Sequence, residues 1–146
     1  MGTPSQSADF DKGRTAYEKG DFEIALKELK PLAEQGDVNA QFYLALMYDD
    51  GDGVPEDAKE AVRWYQLAAE QGYASAQHNL GMMYRMGEGV IQDFVYAHMW
   101  SNIAASNGSS GARENRKLFE EMMSSSQIQE AQRLARECVN KNYISC

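Results

Sequence analysis

The 146-residue chain has only two cysteines, three prolines and two histidines. Both cysteines, Cys138 and Cys146, fall at its far end, so no cysteine framework staples the fold throughout. The prolines, Pro4, Pro31 and Pro55, leave long stretches free to be helical. No apolar run approaches the roughly 20 residues that a membrane-spanning helix needs, and a water-soluble chain without a membrane span is expected. Nor is there an excess of positive charge. Residues 1–72 hold 15 acids and 7 bases, while residues 73–146 hold 7 of each, for a net charge of −8. An acidic front half repels phosphate backbones, which argues against nucleic acid as a partner. What remains is ordinary globular composition, 43% hydrophobic and 25% charged.

The main signal is internal repetition. Residues 37–72 and 73–108 align without gaps and agree at 14 of 36 positions. In the first part of each unit Ala40 matches Ala76, Gln41 matches Gln77, Leu44 matches Leu80, Met47 matches Met83 and Tyr48 matches Tyr84. In the centre Gly51 matches Gly87, Gly53 matches Gly89, Val54 matches Val90 and Asp57 matches Asp93. The last part pairs Ala61 with Ala97, Trp64 with Trp100, Ala68 with Ala104, Ala69 with Ala105 and Gly72 with Gly108. Ala40, Leu44, Met47 and Tyr48 follow the i, i+4, i+7, i+8 spacing of an amphipathic helix. Gly-x-Gly-Val breaks it, and Asp57 with Glu60 predicts a capping box at the start of a second helix. Gly36, Gly72 and Gly108 stand where each second helix would end in a left-handed cap.

The flanks extend the scheme. In the first unit Tyr17 stands four residues before Asp21, against nine between Tyr48 and Asp57, so five loop residues are missing but both helices remain. Beyond Gly108 two further helices are expected, with Ser126 and Gln129 as a second capping box. That unit is more charged and lacks the Trp, as suits a unit with one face to water. The reading is all-α: eight helices in four helix-turn-helix units (about 8–36, 37–72, 73–108 and 109–146), no sheet, and a flexible tail over residues 1–7. A lone helix pair cannot bury both faces, so the units stack as one repeat domain over residues 8–146.

At these residues the chain resembles the Sel1-like repeat family, relatives of the tetratricopeptide repeats. The pattern is Ala-x-x-x-Leu-Gly-x-x-Tyr, Gly-x-Gly-Val-x-x-Asp, Ala-x-x-Trp and Ala-Ala-x-x-Gly. Residues 73–108 satisfy it fully; residues 37–72 depart once, with Ala45 where the family prefers glycine. The opening unit looks more like a tetratricopeptide repeat through Tyr17, Gly20, Asp21 and Ala25, with Gly13 and Arg14 in place of the usual Leu-Gly. The resemblance implies a right-handed α/α superhelix that serves as an adaptor or scaffold without chemistry of its own.

Motifs of chemistry are scarce. The sequence has no Gly-x-Ser-x-Gly, no phosphate-cradling Gly-x-x-x-x-Gly-Lys, no His-Glu-x-x-His and no Ser-x-x-Lys. The acidic loop at residues 49–57 fails the calcium register, with Val54 and Pro55 at the fifth and sixth positions counted from Asp50. We therefore expect no enzyme, no cofactor and no metal. His78 and His98 read as packed or surface imidazoles, and Trp64 and Trp100 as packing between repeats. Some cysteine-rich relatives are linked to penicillin binding or β-lactam hydrolysis, which leaves a cell-wall-fragment binder or cryptic hydrolase as the alternative reading.

Two states are open for Cys138 and Cys146. If the last helix frays near Asn140, the following residues can fold back and close a small disulfide, which needs Cα atoms within about 7 Å. Family members with a similar Cys-terminated segment are often exported, which implies a periplasmic or secreted address with any signal peptide removed. The alternative is two free thiols in a cytoplasmic chain.

In tetratricopeptide-like arrays the first helix of each pair lines a concave groove. That alignment points Asn39, Phe42, Leu46 and Asp49 into the groove from the second unit, and Ser75, His78, Met82 and Arg85 from the third. Asp11, Thr15 and Glu18 would join from the first unit, and Glu114, Leu118 and Glu121 from the last. An apolar strip, Phe42–Leu46–Met82–Leu118, would then run from an acidic end, fitting a protein or peptide with apolar and some basic residues.

Overall fold

Side chains that accept hydrogen bonds start six of the eight helices. The computed structural model describes residues 8–146, so the tail expected over residues 1–7 lies outside the described residues. The helices are α1 (Phe10–Lys19), α2 (Phe22–Glu34), α3 (Val38–Asp50), α4 (Ala58–Ala69), α5 (Ala74–Met86), α6 (Phe94–Ser106), α7 (Ser110–Glu121) and α8 (Ser125–Asn140). Among the described residues there is no strand. Asp9, Asp37, Asp57, Asp93, Ser109 and Ser124 each accept a backbone N–H of the first turn.

Two capping details differ from expectation. The reciprocal box of α8 forms at Ser124 and Gln127, not at Ser126 and Gln129. The helix starts earlier, so Ser126 is already in its first turn and its hydroxyl meets that of Ser124 at 3.1 Å. At α4 only half a box forms. Asp57 accepts from the Glu60 N–H, but the Glu60 carboxylate takes Arg63 at 2.5 Å instead of turning back. The Asp57 N–H has already been given to the Tyr48 carbonyl at 2.9 Å, and Asp93 donates to Tyr84 in the same way.

Each helix packs on its successor through α7, and α8 then lies against α6. The fourth pair thus departs from the other three. On α7 only Ala112 and Phe119 are buried, which leaves little apolar surface for α8, whereas α6 buries eight residues. Helix α1 forms despite Gly13, because a side chain there would collide with Leu29 at 2.7 Å, so the bare backbone lets α2 approach. Trp64 and Trp100 occupy equivalent buried places, 4% and 0% exposed. On the same two helices Ala61, Ala68, Ala69, Ala97 and Ala104 are fully buried.

The two glycines of each Gly-x-Gly have different tasks. The first, Gly51 or Gly87, is the left-handed cap that stops α3 or α5, with φ of 72° and 70°. The Gly51 N–H returns to the Met47 carbonyl, and the Gly87 N–H to that of Met83. The second glycine, Gly53 or Gly89, is also left-handed and in addition lies against the preceding unit. A β-carbon on Gly53 would meet Phe22 at 2.8 Å, and one on Gly89 would meet the Ala58 carbonyl at 2.4 Å.

A buried glutamine also joins successive units. Gln41 donates to the Ala33 carbonyl at 3.2 Å, and Gln77 to the Ala69 carbonyl at 3.1 Å, the same step one unit on. Each glutamine in turn accepts from the end of the next second helix, Gln71 at 2.8 Å and Asn107 at 2.9 Å.

Gly89→Ala is expected to destabilise by about 3 kcal/mol in denaturant unfolding, from backbone strain plus overpacking. Gly108→Ala, where a β-carbon meets nothing, should cost only about 1 kcal/mol. Gln77→Leu should cost about 1–3 kcal/mol in the same measurement, by orphaning the buried Ala69 carbonyl and releasing the exposed Asn107 amide.

Candidate functional site

The alternating order of the helices places α1, α3, α5 and α7 on one side, as first helices of their units. The side chains expected to line it are treated differently along its length. In the N-terminal half aromatic rings form a ladder. Phe10 and Tyr17 meet Tyr43 edge-on at 5.9 and 5.1 Å, Phe42 meets Tyr43 at 5.9 Å, and Phe42 stacks on Tyr73 at 5.0 Å. Such contacts tie α1, α3 and the start of α5 together. Phe42 and Leu46 are accordingly half-buried, while Asn39 at the start of α3 stays exposed. Asp49 accepts from the Tyr65 hydroxyl at 3.2 Å, and burial together with this carboxylate holds the phenol far above its ordinary range.

In the C-terminal half α7 leans over the third unit. His78 packs where a β-carbon on Gly111 would stand 3.3 Å away, and burial lowers its imidazole pKa. The Asn115 amide donates to the Met82 sulfur at 3.0 Å, and the Arg85 guanidinium lies 6.0 Å from the Phe119 ring centre. Ser75 and Leu118 remain exposed, as does Glu121, while Glu114 is likewise open to solvent. Of the expected strip, then, Phe42 and Met82 are engaged between helices, while Leu118 stands 52% exposed. Met86 and Met122, 47% and 58% exposed, lie one turn beyond Met82 and Leu118 respectively. Neither is among the groove positions expected from the sequence, although the i, i+4 spacing marks them.

Acids gather at the other end. Asp11, Thr15 and Glu18 are exposed on α1, with Arg14 only loosely placed 3.8 Å from Asp11 and 4.0 Å from Glu18. Asp49, Asp50 and Asp52 follow at the end of α3. The Asp50 carboxyl is raised above its ordinary range by burial and then by its neighbours Asp49 and Asp52. Tyr17 is raised by burial and by the Asp50 and Asp52 charges. Among the described residues no three histidine, cysteine or acidic side chains gather as metal ligands.

The second histidine lies elsewhere. His98 is fully buried on α6 and pairs with Glu120 of α7 at 2.8 Å. Ser101, one turn on, is also fully buried. Cys138 and Cys146 form a disulfide with Cα atoms 5.5 Å apart, α8 having ended at Asn140. The chain turns back through Asn142, Tyr143 and Ser145 with positive φ angles.

Asp50→Asn should raise stability by less than about 0.5 kcal/mol at pH 7, since it removes a charge that its neighbours repel. A carboxyl raised on folding disfavours the native state above its folded pKa. The advantage of the variant should therefore shrink as the pH falls into the carboxylate range, followed by urea unfolding across pH.

Comparison with known proteins agrees with this architecture. The Sel1 repeat model matches residues 38–73 and 74–109. The structure is similar to that of c5321, described as a protective antigen of uropathogenic Escherichia coli strains with an SLR fold, with TM-score 0.84 and 29% identity. That match covers 90% of this chain and 30% of c5321. A Sel1 repeat protein from Oxalobacter formigenes gives TM-score 0.68 and 36% identity, over 70% of this chain and 41% of the other. An exopolysaccharide production negative regulator from Rhizobium leguminosarum bv. viciae is 39% identical over 67 residues, 44% of this chain and 25% of its own length. The chain thus spans well under half of these relatives. With two matched repeats, the pairwise helical stacking and the close likeness to solved members, the chain belongs to the Sel1-like repeat proteins.

Proposed function

We propose that the protein is a non-catalytic interaction module whose first-helix face takes up a peptide or protein segment with apolar anchors and basic residues. The carrying observation is the polarity of that face. Exposed Met86, Leu118 and Met122 mark one end, and Asp11, Glu18, Asp49 and Asp50 the other. Exposed apolar side chains on a polar surface favour association, and the acids would select positive charge and speed encounter. Both histidines serve packing, His98 wholly and His78 in part, which supports a binding role over a hydrolytic one. The rhizobial relative, named a negative regulator, fits the same kind of role. The disulfide supports an oxidising compartment, periplasmic or extracellular.

The test is selection of a displayed peptide library on the immobilised chain. Enriched sequences should combine apolar residues with Lys or Arg. Leu118→Glu with Met122→Glu should weaken the best of them at least tenfold while the circular dichroism and melting temperature hold. Enrichment without that charge pattern, or undiminished binding to the double variant, would refute the reading. Saturable binding of a muropeptide or a β-lactam would favour the alternative of a cell-wall-fragment binder.

A further inference from the structure

Successive second helices, α2 and α4, do not pack on one another, and between them lies an open crevice of about 610 Å³ floored by α3. Glu34, Gly36, Glu60, Arg63 and Trp64 are among its walls. Because α2, α4 and α6 begin at residues 22, 58 and 94, the 36-residue step carries this crevice onto one between α4 and α6. That second crevice is not open. Tyr143, Ser145 and Cys146 lie against its walls.

The correspondence holds contact by contact. The Ser145 N–H donates to the Glu70 carboxylate at 3.3 Å, and Glu70 is the counterpart of Glu34. The Tyr143 ring lies 3.3 Å from where a β-carbon on Gly72 would stand, and Gly72 is the counterpart of Gly36. The Tyr143 hydroxyl is 3.3 Å from the Asn107 amide, the counterpart of Gln71. Ser145 and Cys146 lie with Tyr96 and Met99, the counterparts of Glu60 and Arg63, around a residual space of only about 70 Å³. At the open site the Arg63 guanidinium instead covers the Trp64 ring at 4.4 Å, and Gln71 turns to the Gly36 carbonyl at 3.1 Å.

The chain therefore displays, on one copy of the crevice, the kind of segment that fills it. We infer that the α2–α4 crevice is a second docking site, separate from the first-helix face, for a tight turn of a partner protein. The turn carries Tyr or Phe, followed two residues later by a free backbone N–H. The aromatic ring would lie over Gly36, and the N–H would reach Glu34, which has no hydrogen-bonded partner among the described residues. Gly36 helps, since no side chain projects there and a β-carbon would meet nothing within 4 Å. A partner turn already held in such a conformation would lose little entropy on docking, as residues 142–145 are held here by the Cys138–Cys146 bridge.

A disulfide-closed peptide with the sequence of residues 138–146 is the probe, titrated into the full chain. The two indole N–H resonances, assigned with Trp64→Phe, report the site. The Trp64 signal should shift saturably with Kd below about 1 mM. The Tyr143→Ala form of the peptide should bind at least tenfold more weakly. Glu34→Ala in the protein should weaken binding at least fivefold at an unchanged melting temperature, whereas Leu118→Glu should have no effect. No saturable shift, a shift confined to Trp100, or equal binding to Glu34→Ala would overturn the proposal. So would a concentration-dependent dimer in sedimentation that Tyr143→Ala in the protein abolishes, which would assign the crevice to a second copy.

Discussion

Stacking helical pairs buries helix ends, and buried helix ends carry carbonyl groups that no helix can satisfy. The rest of the structure depends on how that problem is solved. At the end of α2 the Ala33 carbonyl takes the Gln41 amide, and at the end of α4 the Ala69 carbonyl takes that of Gln77. A glutamine alone would leave its own oxygen buried, so the next unit supplies Gln71 or Asn107 to it. Each junction is thereby a relay between two successive second helices by way of the first helix that separates them. It sets the register between units, because a slip of one residue would leave a buried amide and a buried carbonyl both unmatched. Apolar packing of alanines supplies the attraction but tolerates sliding far better.

Where the relay ends, so does the regular stacking. The position one step beyond Gln77 is Arg113, whose side chain has donors but no acceptor and is exposed. No third junction of this kind can form there. Helix α8 accordingly leaves the pairing rule and lies on α6 through Ala131, Ala135 and Cys138. Asn107, which donates to Gln77 on one side, meets the Tyr143 hydroxyl on the other. The Tyr143 hydroxyl thus takes from Asn107 the bond that the Gly36 carbonyl takes from Gln71 one unit earlier.

The fold was legible because its information is local and duplicated. Alanine spacing, paired glycines, aspartate caps and a 36-residue step all act within a few residues of themselves, so one sequence displays them twice. The boundaries of α8 were less so, since three consecutive serines offer the same capping chemistry and only tertiary packing chooses Ser124. The first-helix face was read only in outline. Helical phase points Phe42 and Met82 to the first-helix face, but whether a neighbour covers them depends on how far α7 and Tyr73 lean over, which no period encodes. Gln41 and Gln77 were visible as matched positions, yet their meaning required knowing that Ala33 and Ala69 end helices against them.

The disulfide has a structural reason of its own. Asn142, Tyr143 and Ser145 all adopt positive φ, a conformation that costs a side-chain-bearing residue on the order of 1 kcal/mol each. Three such residues in four would not hold a lone segment in place. The contacts of Tyr143 with Asn107 and Gly72, and of Ser145 with Glu70, offset part of that cost. The bridge to Cys138 offsets more, because it confines the segment to a nine-residue ring before any contact is made. Reduction would therefore remove more than a covalent bond. It would free the segment to leave the α4–α6 crevice, so that the redox state of two cysteines and the packing beside Tyr96 and Met99 form one coupled element.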